Sequence, residues 1–212
     1  MWELVKAGGW LMLPLVLCSI FTVAITIERF IRLKKSMILP KALLLNQTQN
    51  ADVVMQQLQQ DKALQSSTLG RIFTAGYQSK SKNEQYARAQ METTASQEIG
   101  YLEKNINFLG TLSAVAPLLG LLGTVLGIIE SFLVIDLGTN SNPTLMIPGI
   151  SKALITTAAG MFIAIPALFA YRYFQRLVQE YVAELEQQST LFHAALFYQN
   201  STAEEQDIRK AG

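Results

Sequence analysis

The stretch Ala116-Pro117-Leu118-Leu119-Gly120-Leu121-Leu122-Gly123-Thr124-Val125-Leu126-Gly127-Ile128-Ile129-Glu130-Ser131-Phe132 has Glu130 as its only charged side chain. It continues an uncharged run that starts at Asn105. A helix needs about 20 mainly apolar residues to cross a bilayer, and this run is long enough. On one side, Ala7 to Ile27 holds no ionisable group except Cys18; on the other, Ala153 to Ala170 holds none. The reading is an all-α integral membrane protein. Its spans are expected at about 9–29, 108–135 and 149–171.

Composition agrees. The chain has 212 residues, half of them hydrophobic and only 16% charged, against about 25% charged in an average soluble domain. Mean hydropathy is +0.25. Lys+Arg 17 against Asp+Glu 16 leaves a net charge of +1, which offers nothing to attract nucleic acid. Cys18 is the only cysteine and His193 the only histidine, so an internal disulfide is excluded and a metal site or His-dependent triad has little to draw on. Cys18 lies mid-span, where packing is the ordinary role of a thiol. His193, between Phe192 and Ala194, reads as a packing or surface residue. No P-loop, GxSxG or HExxH pattern occurs, and Gly120-Leu-Leu-Gly123-Thr124 lacks the lysine of a phosphate loop. Neither enzyme activity nor a cofactor is expected.

The flanking charges give direction. After the first span come Arg29, Arg32, Lys34, Lys35 and Lys41, a stop-transfer pattern where a signal peptide would show a shorter apolar core and a small-residue cleavage site. Lys104 precedes the second span, and Arg172 and Arg176 follow the third, while the hairpin from Asp136 to Ile147 has no Lys or Arg. Lys and Arg accumulate on the cytoplasmic side of short flanks. The expected order is a periplasmic N-terminus (1–8), span 9–29, cytoplasmic region 30–107, span 108–135, periplasmic hairpin 136–148, span 149–171 and cytoplasmic helix and tail 172–212.

The cytoplasmic parts read as helical. Pro40 suits the first turn of a short helix, and Asn50-Ala-Asp52 the start of another. An apolar-faced piece begins at Thr68. Ser81 and Glu84 match a capping box, and with no proline before Pro117 one helix is expected from about 82 to 135. Arg172 to Tyr198 lacks Gly and Pro and carries an apolar stripe through Leu177, Tyr181, Leu185, Leu191 and Phe192, so the third span is expected to continue into it. Ser201 to Gly212 reads as a frayed tail. Pro14, Pro117 and Pro166 fall inside spans, where neighbouring helices re-satisfy the freed carbonyls.

Helices in lipid associate through close packing of small residues, because lipid tails are as apolar as leucine. Gly123-x-x-x-Gly127, with Gly120, gives the second span such a face. Ala153, Thr157, Gly160, Ala164 and Ala167 give the third another. The second span is followed by Pro148-Gly149-Ile150-Ser151-Lys152-Ala153-Leu154-Ile155-Thr156-Thr157-Ala158-Ala159-Gly160 and then Ala164-Ile165-Pro166-Ala167. The two stretches together resemble the second and third spans of the MotA/TolQ/ExbB proton-channel family. The opening Met1-Trp2-Glu3-Leu4-Val5-Lys6-Ala7-Gly8-Gly9-Trp10-Leu11-Met12-Leu13-Pro14-Leu15 is similar to the ExbB-like branch.

The resemblance implies a ring-forming homopentamer in the inner membrane of a Gram-negative bacterium. Its pore would hold the single spans of an ExbD- or TolR-like partner with a membrane aspartate, and a TonB- or TolA-like protein would carry the work to the outer membrane. The family's pore threonines map by motif onto Thr124 and Thr157, with Thr156 a less typical neighbour. A hydroxyl both donates and accepts, so it engages a carboxyl group without adding charge to a pore. The competing reading has each threonine bonding back to a carbonyl one turn earlier. A second function class, a non-conducting scaffold assembled through the same small-residue faces, needs no threonine at both places. The chain departs from the branch at Lys152, where a glutamate is usual, and the outer N-terminal extension of some ExbB proteins is not expected here. Glu130 and Lys152 lie at matched depth from the hairpin midpoint. They either pair or reach separately for the headgroups.

Overall fold

The computed structural model describes residues 8–45, 50–136 and 143–198. The N-terminal residues 1–7, the tip of the expected hairpin at 137–142 and the expected frayed tail lie outside the described residues. Among the described residues there is helix and no strand: α1 (Met12–Arg32), α2 (Lys35–Ile38), a 3-10 turn (Lys41–Leu43), α3 (Ala51–Gln60), α4 (Lys62–Ser66), α5 (Thr68–Ser79), α6 (Glu84–Glu103), α7 (Ile106–Asp136), a second 3-10 turn (Pro143–Met146) and α8 (Ile147–Phe197). Three helices among them are long and apolar enough to cross a membrane, and each expected span falls largely or wholly on one of them.

The chain divides into two compact units. One is Met1–Arg29 with Asn105–Gln175; the other is Phe30–Lys104 with Arg176–Gly212. In the first, Met12 and Leu15 of α1, Ala116 of α7 and Ala164 of α8 form the buried centre, with Leu119, Ala159 and Ile163 packed against it. Many of its other large apolar side chains point outward: Phe162 is 80% exposed and Leu13 69%. An apolar exterior over helix contacts rich in small residues is what lipid favours. Pro14 falls in the first turn of α1, where its missing N–H costs nothing, whereas Pro117 and Pro166 lie inside α7 and α8.

The second unit has a water-soluble protein's core. Leu58, Leu69, Ile72, Phe73, Ala87, Leu185 and Phe192 are buried, and the rings of Phe73 and Phe192 stack 4.1 Å apart at 9°. Polar ties hold its pieces: Lys35 Nζ donates to Glu184 at 2.6 Å, Tyr181 Oη to the Leu33 carbonyl at 3.0 Å, and Arg71 to Glu98 at 2.8 Å. The bond to Glu184 raises the Lys35 pKa above its ordinary value. Asp61 and Ser67 cap α4 and α5 through the amides of Ala63 and Gly70.

Two local expectations need correction. The helix expected from about 82 to 135 is interrupted at Lys104–Asn105, and Asn105 has φ +64°, in the left-handed region. Asparagine tolerates that conformation better than any residue but glycine, and Asn105 Nδ2 donates to Glu28 Oε2 at 3.0 Å. The cap of α6 is Asn83, whose Oδ1 accepts from the Tyr86 amide at 2.6 Å, and not Ser81. Asparagine matches serine as an N-cap, and starting at Asn83 places Glu84 in the first turn, a favourable site for an acid. Asn50 does precede α3, but its side chain makes no cap bond.

Candidate functional site

The site lies where α7 meets the first turns of α8, and missing side chains set its geometry. A Cβ on Gly120 would stand 3.0 Å from the Thr156 carbonyl, and one on Gly123 only 2.2 Å from Thr156 Oγ1. At Gly127 it would be 2.7 Å from the Gly149 carbonyl and 2.8 Å from Ala153 Cβ; at Gly160 it would be 2.6 Å from the Ala116 carbonyl. Ala153 and Ala164 are both buried. These small residues let the two backbones approach closely enough for hydroxyls to reach across.

Thr124 of α7 and Thr157 of α8 use that proximity. Their Oγ1 atoms lie 2.6 Å apart, so one donates to the other. Thr157 Oγ1 also donates across to the Gly120 carbonyl at 3.0 Å, and Thr124 Oγ1 has the same carbonyl at 3.3 Å. Both residues are half-buried. Thr156 behaves differently. It is wholly buried beneath Gly123, and its hydroxyl donates back to its own helix, to Ala153 O at 2.9 Å and Lys152 O at 3.1 Å.

One turn before Thr156, Lys152 Nζ donates to Glu130 Oε2 at 2.7 Å. The lysine is the more enclosed partner, 27% exposed against 56% for Glu130. Gly9, with φ +71°, presses on its aliphatic stem: a Cβ there would lie 2.4 Å from Lys152 Cε. Opposite charges this close remove much of each other's cost in a low-dielectric setting. A cleft of about 330 Å³ opens beside the pair, lined by Gly8, Trp10, Gly127, Glu130, Lys152 and Thr156 among others.

Ser131 was not legible as part of the site. It is buried, and its hydroxyl meets the Gly127 carbonyl at 2.9 Å and the Met146 carbonyl at 3.2 Å. It thereby ties the end of α7 to the turn before α8. The available signal was a hydroxyl four residues after Gly127, beside Glu130 near the end of a mainly apolar run. Among the described residues, no three His, Cys, Asp or Glu side chains group closely enough to hold a metal ion.

Three apolar helices, two of them meeting through glycines with hydroxyls and an ion pair between them, define a multi-pass membrane protein with a polar seam. Residues 64–187 match the MotA/TolQ/ExbB proton channel family, and the chain belongs to that family. It is 36% identical over 111 residues to the Tol-Pal system protein TolQ of Haemophilus influenzae, covering 50% of this chain and 49% of that one. It is 36% identical over 114 residues to the biopolymer transport protein ExbB of Salmonella typhimurium, covering 52% and 47%. An ExbB-like biopolymer transport protein of Synechocystis sp., ExbB-like 3, is 30% identical over 190 residues, covering 86% and 89%. The matches thus span about half the length of the TolQ and ExbB relatives. Family and apolar helices together make the chain a multi-pass protein of the inner membrane.

Proposed function

We propose that the chain is the ring-forming subunit of a proton-driven envelope motor. Five copies enclose a pore in the inner membrane, with N-termini in the periplasm and the polar helical unit in the cytoplasm. The pore holds the single spans of an ExbD- or TolR-like partner that carries a membrane carboxyl group. Proton passage through that carboxyl moves one ring against the other, and a TonB- or TolA-like protein delivers the work to the outer membrane. Thr124 and Thr157 line the pore, Thr156 sets the helix spacing beside them, and Glu130 with Lys152 locks the outer end of the seam.

The observation that supports this reading is the hydroxyl pair. Threonines that merely close their own helix turn, as Thr156 does, bond back to a carbonyl three or four residues earlier. Thr157 instead reaches across to the other helix and pairs with Thr124, and both residues stay half-buried. Purification of the chain from its native membrane, followed by identifying any co-purifying single-span protein and counting each kind of chain, tests it. Five copies around a smaller number of partner chains is the expected result. A chain that forms rings without any single-span partner would instead be a scaffold.

A further inference from the structure

The Glu130–Lys152 pair lies at a definite depth in the membrane. α7 is 31 residues long, about 46 Å of helix at 1.5 Å per residue, which matches the roughly 40–45 Å of a bilayer with its headgroups. Glu130 stands six residues before the last residue of α7, and Lys152 five after the first of α8. Each is therefore about 8–9 Å from its helix end, close to where headgroups give way to hydrocarbon. Trp10, which lines the cleft beside the pair, is 68% exposed, and tryptophan is enriched at that level. Ile129 and Leu133 also line the cleft and are half-exposed. The cleft thus offers two charges and apolar side chains together. The charges have bonding capacity to spare. Lys152 Nζ has three hydrogens and gives one to Glu130 Oε2 at 2.7 Å; neither residue makes another hydrogen bond among the described residues. Both are open to contact, at 27% and 56% exposure.

We propose that this cleft binds a phospholipid whose headgroup is phosphoethanolamine. The lipid phosphate accepts from the remaining hydrogens of Lys152, and the lipid ammonium donates to the second oxygen of Glu130. The acyl chains run along Ile129 and Leu133. Four charges then alternate in sign, every new bond is charge-assisted, and the Lys152–Glu130 bond is kept. Other headgroups fit less well. An anionic headgroup without an amine satisfies Lys152 but brings its charge towards Glu130 with no cation to offset it. A choline headgroup carries both charges but no N–H, so Glu130 gains no hydrogen bond. Charged side chains at this depth pair or face a polar cavity, and here the pair and the cleft adjoin. This site is separate from the pore reading above, because a non-conducting scaffold with the same cleft would bind the same lipid.

The test reconstitutes the purified chain in nanodiscs of mixed phosphatidylethanolamine, phosphatidylcholine and phosphatidylglycerol. Native mass spectrometry then counts the lipids that stay with each chain on release. Wild type is expected to retain one phosphatidylethanolamine per chain, preferred roughly tenfold over either other lipid, the difference that one hydrogen bond to a charged group makes. Lys152→Met and the double change Lys152→Met/Glu130→Gln should both lose the preference. The double variant strands no charge, so it serves if the single one does not assemble. Soluble phosphoethanolamine, which lacks acyl chains, should leave the lipid in place. Equal retention of the three lipids, a preference for either of the others, or an unaltered preference in the double variant overturns the proposal. Displacement by soluble phosphoethanolamine at micromolar concentration also overturns it, because the cleft would then belong to a soluble phosphate ester.

Discussion

The two units of this chain use the same secondary structure and hold it together by opposite means. In the unit of α2 to α6 and the later part of α8, large side chains fill the interior, with Phe73 stacked on Phe192 and Leu58, Leu69 and Ile72 fully enclosed. In the unit of α1, α7 and the earlier part of α8, the interior is Met12 and Leu15 with Ala116, Ala153, Ala164 and a row of glycines, and many of the large side chains face out. Water rewards burying apolar area wherever it is found. Lipid gives no such reward, so what remains is close packing and polar contact between helices. Only in the second setting are hydroxyls and charges the natural contents of a helix seam, and that is where the candidate site lies.

The largest expected effect tests the water-type half of this contrast. Phe73→Ala removes a fully buried, stacked ring and should cost about 3–5 kcal/mol. It should abolish the cooperative thermal transition of that unit while leaving the apolar helices membrane-inserted, as checked by carbonate extraction. Next comes a pair of glycine changes with opposite signs. Gly160→Ala places a methyl 2.6 Å from the Ala116 carbonyl and should destabilise by roughly 2 kcal/mol. Gly100→Ala in α6 meets nothing within 4 Å and should stabilise by about 1 kcal/mol, the helix-propensity gain alone. Thermal melts in detergent distinguish the two; equal signs would break the comparison.

The ion pair sharpens it further. Lys152→Met should destabilise by stranding Glu130, and adding Glu130→Gln should restore part of the loss. Because Glu130 is more than half exposed, the coupling should be only about 1 kcal/mol. Simple additivity in the double-mutant cycle would mean that the charges act independently. The smallest effect is expected from Lys35→Ala, which removes an exposed contact to Glu184. The lysine's pKa is raised in the folded chain, so any stabilisation is fully present below the ordinary lysine value of about 10.4 and fades only as pH rises through the folded one. Stability differences from wild type should be within scatter and flat from about pH 6 to 9.

The apolar helices were legible because bilayer thickness imposes a length on hydrophobic runs, and the second helix Ile106–Asp136 falls within a residue or two of the expected 108–135. The alignment of Glu130 with Lys152 followed from counting equal rise on either side of a hairpin. What stayed hidden was decided by single residues acting on the backbone. Asn105 interrupts a helix with neither Gly nor Pro nearby, and nothing in a one-residue left-handed turn shows in hydrophobic periodicity. Asparagine and serine cap helices about equally well, so residue type did not separate Asn83 from Ser81 as the start of α6. Thr156 and Thr157 are adjacent and identical in type, yet one is enclosed and back-bonded while the other reaches across. That difference depends on which residue faces Gly123, a matter of helix rotation that composition leaves open.

The central claim is that the seam between α7 and α8 serves proton passage through Thr124 and Thr157 and is more than a packing face. Its most direct test is proton flux into liposomes containing the purified complex, driven by an imposed pH gradient and potential, with wild-type chain and with Thr124→Val/Thr157→Val. The account predicts that the variant assembles with unchanged stoichiometry and that its flux falls at least tenfold. Flux at the wild-type level from a correctly assembled variant would contradict it.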